Sequence, residues 1–235
     1  MSDSSQQRKS EKLDRVVRRD PPEFDPASLW QALSMTPGVG VSIMDTEGAL
    51  IFVNDTSQLL FFNQVGVDYR GKTVHDFHPP GFCRERIEMI RRVIAEKKPL
   101  VIKHIYYGRR IESTIWPIND KKPPFNRVVV ISHNQASGPL AANAPSDFET
   151  IETRFIGLGP LDVLTQRELE VLVLLGNGMS VPSTAAMLHR SPNTVQRHKE
   201  SISRKLSLSG QAELVSLVAS MGLDLDDAHL QRYGD

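Results

Sequence analysis

The chain has 235 residues, room for two domains of ordinary size, and its 28 basic side chains balance its 28 acidic ones. The overall charge therefore points to no polyanionic partner, and any basic surface has to be local. One cysteine, Cys83, excludes an intramolecular disulfide and a paired-thiol metal site. No apolar run is long enough to span a bilayer, and the polar opening MSDSSQQRKSEK has no signal-peptide core, so the expectation is a cytoplasmic protein with no membrane partner.

Residues 1–24 read as a basic polar arm that is simply solvated, ending in the break Pro21-Pro22. Residues 25–134 read as one mixed domain. A short helix over 26–35 starts with Asp25 as N-cap and Pro26 in the first turn. Val39 to Met44 reads as a strand, Asp45-Thr46-Glu47-Gly48 as a turn, and Ala49 to Val53 as the returning strand. Helical segments follow around Thr56 to Phe62 and Cys83 to Glu96, with His78-Pro79-Pro80-Gly81 as a rigid loop before the second. Three strands close the domain: Leu100 to Tyr107, Arg109 to Pro117 and Asn126 to His133, with a tight turn at Gly108. Strands and helices segregated in this order predict an α+β fold with an antiparallel sheet. Met44, Phe61, Phe62, Phe77, Phe82 and Trp116 are expected in its core.

Residues 135–160 are rich in Ala, Ser, Pro, Gly and Asn and read as a flexible linker, with a short helix over Phe148 to Phe155. Residues 161–222 are helical throughout and closely punctuated. Thr165 and Glu168 form a T-x-x-E capping box ahead of the apolar face Leu169, Leu172 and Val173. Gly178 ends that helix. Ser180 caps a second helix and Ser191 a third, each with a proline in the first turn. Residues 223–235 read as an acidic, frayed tail.

The third helix concentrates charge. Between Arg190 and Leu206 stand five basic residues and one acid, a local charge of +4 in a neutral chain. On a helical wheel Val195, Ile202 and Leu206 share the inward side. Asn193, Arg197, Glu200, Ser201 and Arg204 lie opposite, with Gln196 on the flank. Helix, tight turn and helix of this size fit a helix-turn-helix, whose second helix enters the major groove. In that role Arg197 suits guanine, Glu200 cytosine and Gln196 adenine. Thr194 at the helix start suits a phosphate, Asn193 lies on the same face, and Lys199, Arg204 and Lys205 suit the backbone. A merely solvated amphipathic helix is the competing interpretation of this composition.

Residues 164–217 resemble the LuxR/FixJ type of helix-turn-helix domain. The likeness rests on Leu164-Thr165, Arg167-Glu168, Glu170-Val171-Leu172, Gly178-Met179-Ser180, Ala185, Leu188, Ser191, Thr194-Val195, His198, Ile202 and Lys205-Leu206. It implies an all-α, four-helix DNA-binding domain, with a fourth helix near Ser209 to Met221 serving as a homodimer contact. His198 is then a packing residue. Thr184 stands where the family usually has Ile, Glu200 where a contacting residue is frequent, and Gly210 where a basic one is common. Val39 to Gly48 followed by Ile51-Phe52-Val53-Asn54, and Gly71 to Phe77, resemble a PAS domain, which implies a PAS-like sensor or dimerisation module over residues 25–134.

A phosphoacceptor receiver domain lacks support, because the second acidic pair and the βα alternation are missing. An acyl-homoserine-lactone domain lacks its aromatic and acidic set. No cofactor and no metal are predicted: His75, His78 and His104 are the available haem ligands, and Cys83 lacks a flavin-adduct motif. No catalytic motif is present, so no enzyme is expected. The resulting expectation is a homodimeric regulator of double-stranded DNA, controlled by a small-molecule, redox or protein signal at the PAS-like domain. The alternative is a protein-interaction adaptor with a degenerate helix-turn-helix.

Overall fold

The computed structural model describes residues 25–120, 123–137 and 148–229. The expected basic arm, the centre of the expected linker and the last residues of the acidic tail lie outside the described residues.

The first half is built on one sheet. Helix α1 (Pro26–Met35) starts where Asp25 accepts hydrogen bonds from the N–H groups of Ala27 and Ser28. Strands β1 (Gly40–Asp45) and β2 (Leu50–Val53) form the hairpin, and Asp45 Oδ1 accepts from the N–H groups of Glu47 and Ala49, both at 2.9 Å. That carboxylate serves the turn, as its position in the sequence suggested. Helix α2 (Asp55–Phe61) is capped by Asn54, whose side chain also knots three segments together. Its Oδ1 accepts from Val41 N–H at 2.8 Å and Ser57 N–H at 2.9 Å, and its Nδ2 donates to the carbonyls of Ser34 and Val39, both at 2.9 Å. A buried amide can be satisfied this fully only when helix, strand and helix are already in place.

Helix α3 (Pro80–Glu96) starts three residues before the expected point, because Pro80 takes the first helical position, where a missing N–H costs nothing. Strands β3 (Leu100–Tyr106), β4 (Arg109–Pro117) and β5 (Arg127–Asn134) follow as read, with Tyr107 and Gly108 at positive φ in the β3–β4 turn. α2 and α3 pack on one face of the sheet over a core that includes Met44, Phe82, Ile90, Ile102, Ile111 and Val130.

Residues 148–156 require a correction. They form neither a helix nor part of a free linker but a sixth strand, β6 (Glu149–Ile156), paired parallel to β3. The sheet order is β2-β1-β5-β4-β3-β6, so the sheet is mixed rather than purely antiparallel. The cause is local and tertiary at once. Thr150, Ile151, Thr153, Phe155 and Ile156 favour extended backbone, and β3 would otherwise present an unpaired edge. Two carboxylate contacts fasten the strand to α3: Arg92 grips Glu149 at 2.7 and 3.0 Å, and Glu85 accepts from the N–H groups of Arg154 and Phe155 at 3.0 and 3.1 Å.

The second half is helical: α4 (Gln166–Gly176), α5 (Val181–Met187), α6 (Pro192–Lys205) and α7 (Gln211–Met221). All three polar N-caps read from the sequence form, at Thr165, Ser180 and Ser191. Gly176 lets α4 lie directly on α7, since a Cβ there would stand 2.3 Å from a Val218 methyl. Thr184, noted as polar in an apolar position, is fully buried, and its hydroxyl has no partner.

The acidic tail also differs from expectation. Leu225–His229 is a short 3-10 helix, and Leu223, Asp227 and Ala228 are buried. Arg110 on β4 grips Asp227 with two hydrogen bonds, at 2.6 and 3.2 Å, and faces Asp224 at 3.7 Å. Asn134 donates to the Ser220 carbonyl at 2.9 Å. Gly222, at φ +70°, lies so close to the chain at Ala136 that a Cβ would stand 2.7 Å from its nitrogen. Ile105 of β3 joins the helical core with Leu158 and Leu161. The two halves therefore share an apolar seam and a buried ion pair.

Two stability outcomes follow from this packing. Thr184→Val removes an unsatisfied hydroxyl at nearly constant volume and should raise stability by about 1 kcal/mol in urea denaturation. Arg110→Ala strands the Asp227 carboxylate and should cost about 3–5 kcal/mol, whereas the paired apolar replacement Arg110→Met with Asp227→Leu should recover most of that loss.

Candidate nucleic-acid interface

Helix α6 is fixed from within and open without. Val195 and Ile202 are fully buried against α4 and α5, as the wheel required. Asn193, Gln196, Arg197, Glu200 and Arg204 are exposed, and Thr194 and Lys199 are half-buried. Ser191 Oγ accepts from Thr194 N–H at 3.1 Å and is hydrogen-bonded to the Thr194 hydroxyl at 2.8 Å. The start of the helix is thus closed by its own cap.

The positions of three side chains refine the sequence reading. Ser201 does not face solvent: its hydroxyl donates to Glu168 Oε1 at 2.7 Å. Lys205, expected to contact the DNA backbone, donates to Glu168 Oε2 at 2.6 Å and so ties the end of α6 to the start of α4. Gln196 donates to Glu200 Oε1 at 3.0 Å, so two of the expected base-reading side chains are bonded to each other. The cationic groups left unpaired among the described residues of this helix are Arg197, Lys199 and Arg204, with Arg190 just before it.

Glu168 is the residue whose importance sequence reasoning understated. It was read as one half of a capping box, and it does accept from Thr165 N–H at 2.7 Å. Its side chain is also 4% exposed and collects Ser201 and Lys205. Burial alone pushes this carboxyl up. The hydrogen bonds from Lys205, Thr165 and Ser201 outweigh that and hold it at about 2, against an ordinary 4.5. The available signal was the spacing of Ser201 and Lys205, four residues apart and therefore on one side of the helix.

The three histidines named as available haem ligands lie in different surroundings. His75 is exposed, and His78 Nδ1 lies 2.7 Å from the Tyr106 hydroxyl. His104 is buried between Arg86 and Ser113. The Cys83 thiol is buried and donates to the carbonyls of Val74 and His78, and burial pushes it up, away from the reactive thiolate. Among the described residues no helix is long and apolar enough to cross a membrane.

Residues 162–218 match the model of the bacterial regulatory proteins of the luxR family, and residues 37–133 match the PAS fold. The chain thus joins a PAS-fold domain to a C-terminal helix-turn-helix domain of the luxR family. Among characterised relatives, the response regulator RamR of Streptomyces coelicolor is 28% identical over 126 residues, covering 54% of this chain and 57% of RamR. The transcriptional regulatory protein UhpA of Escherichia coli is 43% identical over 56 residues, covering 24% of this chain and 29% of UhpA. The chain thus spans less than two thirds of the length of these relatives.

Solved structures with some similarity to the chain include the VqmA–ligand–DNA complex of Vibrio cholerae, at TM-score 0.42 and 19% identity over 86% of this chain and 92% of that one. A phage VqmA–DPO complex gives TM-score 0.43 and 20% identity over 84% and 89%.

The Glu168 cluster makes a pH prediction. The folded-state pKa lies below the ordinary value, so the stabilisation is fully present above pH 4.5 and is lost as pH falls towards 2. Glu168→Gln should be less stable at pH 7 by about 1.5–3 kcal/mol. It should also lose stability less steeply than the parent through that acid window, as read by denaturant midpoints at each pH.

Proposed function

We propose that this chain is a sequence-specific DNA-binding transcription regulator whose PAS domain receives a small ligand, a redox signal or a protein partner and thereby controls DNA binding. The observation that carries the reading is α6, anchored by Val195 and Ile202 and presenting Arg197 and Arg204 unpaired to solvent. A helix anchored inward and cationic outward suits the major groove, with arginine on guanine and the remaining cations on phosphates. Gln196 and Glu200 exchange their mutual hydrogen bond for base edges on binding. Asn193, Thr194, Lys199 and Arg204 serve the backbone, while Lys205 serves mainly to hold α6 in place.

Two copies would place their α6 helices about one duplex turn, roughly 34 Å, apart and read an inverted repeat. The exposed apolar side chains of α1, Leu29, Trp30 and Met35, favour such a second copy on the PAS side. The route for the signal runs through the seam at Arg110 and Asp227 and through Asn134, at the end of β5, to Ser220 near the end of α7. A signal can shift this equilibrium only by favouring one arrangement of the seam over another.

Selection from a random duplex pool by the full chain tests the reading, with enrichment of a symmetric motif as the expected result. Arg197→Ala should then cost about 1–3 kcal/mol at a single base position and relax specificity there. Arg204→Ala should weaken all duplexes alike and lower the salt slope by about 1. An unchanged preference in Arg197→Ala would mean that α6 is wrongly oriented. Retention of no duplex, or binding indifferent to salt, would favour an adaptor whose helical domain docks to protein.

A further inference from the structure

Inside the PAS domain, between α2, α3 and the inner face of the sheet, lies a cavity of about 30 Å³. Its walls are mostly apolar, among them Met44, Val53, Phe61, Phe62 and Phe82; Ser42, Ser57 and His78 add uncharged polar groups, and Arg86 of α3 is the one charged side chain in the lining. That side chain is only 5% exposed, and its Nη1 has no hydrogen-bond partner. Its other contacts are neutral. The guanidinium lies 4.9 Å from the centre of the Phe82 ring, and Nη2 lies 3.4 Å from His104 Nδ1.

The direction of the polar line beyond it is fixed as far as Ser113. Arginine only donates, so His104 accepts at Nδ1 and donates from Nε2 to Ser113 Oγ at 3.2 Å. Ser113 Oγ is in turn hydrogen-bonded to Ser132 Oγ at 2.7 Å, where either hydroxyl can donate. This chain supplies donors and dipoles but no negative charge.

The surrounding titratable groups are held neutral as well. Burial pushes His78 down to about 3 and His104 well below its ordinary value, and it pushes the Cys83 thiol and the Tyr106 hydroxyl up. Glu85, adjacent in sequence, spends its carboxylate on the β6 backbone. Among the described residues Arg86 forms no ion pair. The Glu85 charge favours the Arg86 cation without forming an ion pair with it. A buried cation without an ion pair is costly, and an unpartnered buried donor calls for a missing acceptor.

We infer that this cavity is the binding site of a small organic anion, a monocarboxylate on a compact apolar body, with Arg86 as its counter-ion. The inference deepens the sensor reading given above and rests on it. The guanidinium fork matches a carboxylate in geometry and charge, and the aromatic walls match the apolar remainder. A volume of this size holds one or two waters, so anything larger has to part the outer wall. Phe61, Phe62 and His78 form that wall and are only half-buried.

Thermal unfolding of the full chain provides the test, with acetate, isobutyrate and benzoate compared with acetamide, isobutyramide and benzamide at matched ionic strength. The expected result is a rise in Tm with at least one carboxylate, growing with its concentration, and no comparable rise with the matching amide. Arg86→Met and Arg86→Gln should abolish that rise; the glutamine keeps a donor for His104 should the methionine variant fail to fold. No carboxylate shift in the parent, or an equal shift in both variants, would overturn the inference. Amides as effective as carboxylates would overturn the anion and leave a neutral-ligand sensor standing. The same carboxylate is then added to the duplex-retention assay: a Tm rise without any change in retention keeps the anion site and removes its coupling to DNA.

Discussion

The carboxylate of Glu168 sets the position of everything that would touch DNA. It closes the first turn of α4 through Thr165 and takes Ser201 and Lys205 from the last two turns of α6. One buried charge thus fixes both the start of the scaffold helix and the end of the presented one. Apolar packing at Val195 and Ile202 sets how deeply α6 sits, but packing alone is nondirectional and tolerates sliding. The hydrogen bonds to a single carboxylate do not, because each donor must meet its own oxygen. With Lys205 consumed in this way, Arg197, Lys199 and Arg204 are left free for a polyanion.

A second buried ion pair, Arg110 with Asp227, does the corresponding work between domains. It joins β4 of the sheet to the segment after α7, beside the Asn134–Ser220 contact and the close approach at Gly222. β6 completes the connection: it runs along β3, and the chain after it enters the helical core at Leu158 and Leu161. The PAS-fold domain and the helical domain are thus joined through a strand of the shared sheet. A rearrangement around Arg86 or His104 would be felt on β3 and β4, the strands that carry Ile105 and Arg110 into the seam. Continuity of this kind is what coupling a pocket to a helix on the other domain would require.

The elements were legible in the sequence where local chemistry decided them. Asp25, Thr165, Ser180 and Ser191 announced helix starts because a side-chain acceptor beside free N–H groups works the same way in any fold. The Asp45 turn and the Gly108 hairpin were legible for similar reasons. β6 was not, because its composition resembled a linker and its partner, the edge of β3, lies far away in sequence. Asp227 was taken for part of a frayed acidic tail, since nothing nearby in sequence reveals that Arg110 waits for it. Arg86 did leave a trace: Phe82, Cys83, Ile90 and Val93 place it on the apolar side of α3.

The sequence by itself determined two domains, their order, the N-caps of four of the seven described α-helices (Asp25, Thr165, Ser180 and Ser191), and the concentration of positive charge on α6. These depend on interactions within a few residues or on a period of one helical turn. Only the tertiary structure decided which cations of the chain are free, which are consumed in ion pairs, and which is buried without one. Glu168 claims Lys205, Asp227 claims Arg110, and no carboxylate among the described residues forms an ion pair with Arg86. Each outcome depends on which distant segment arrives beside a side chain, a matter of packing geometry that periodicity along the chain does not encode.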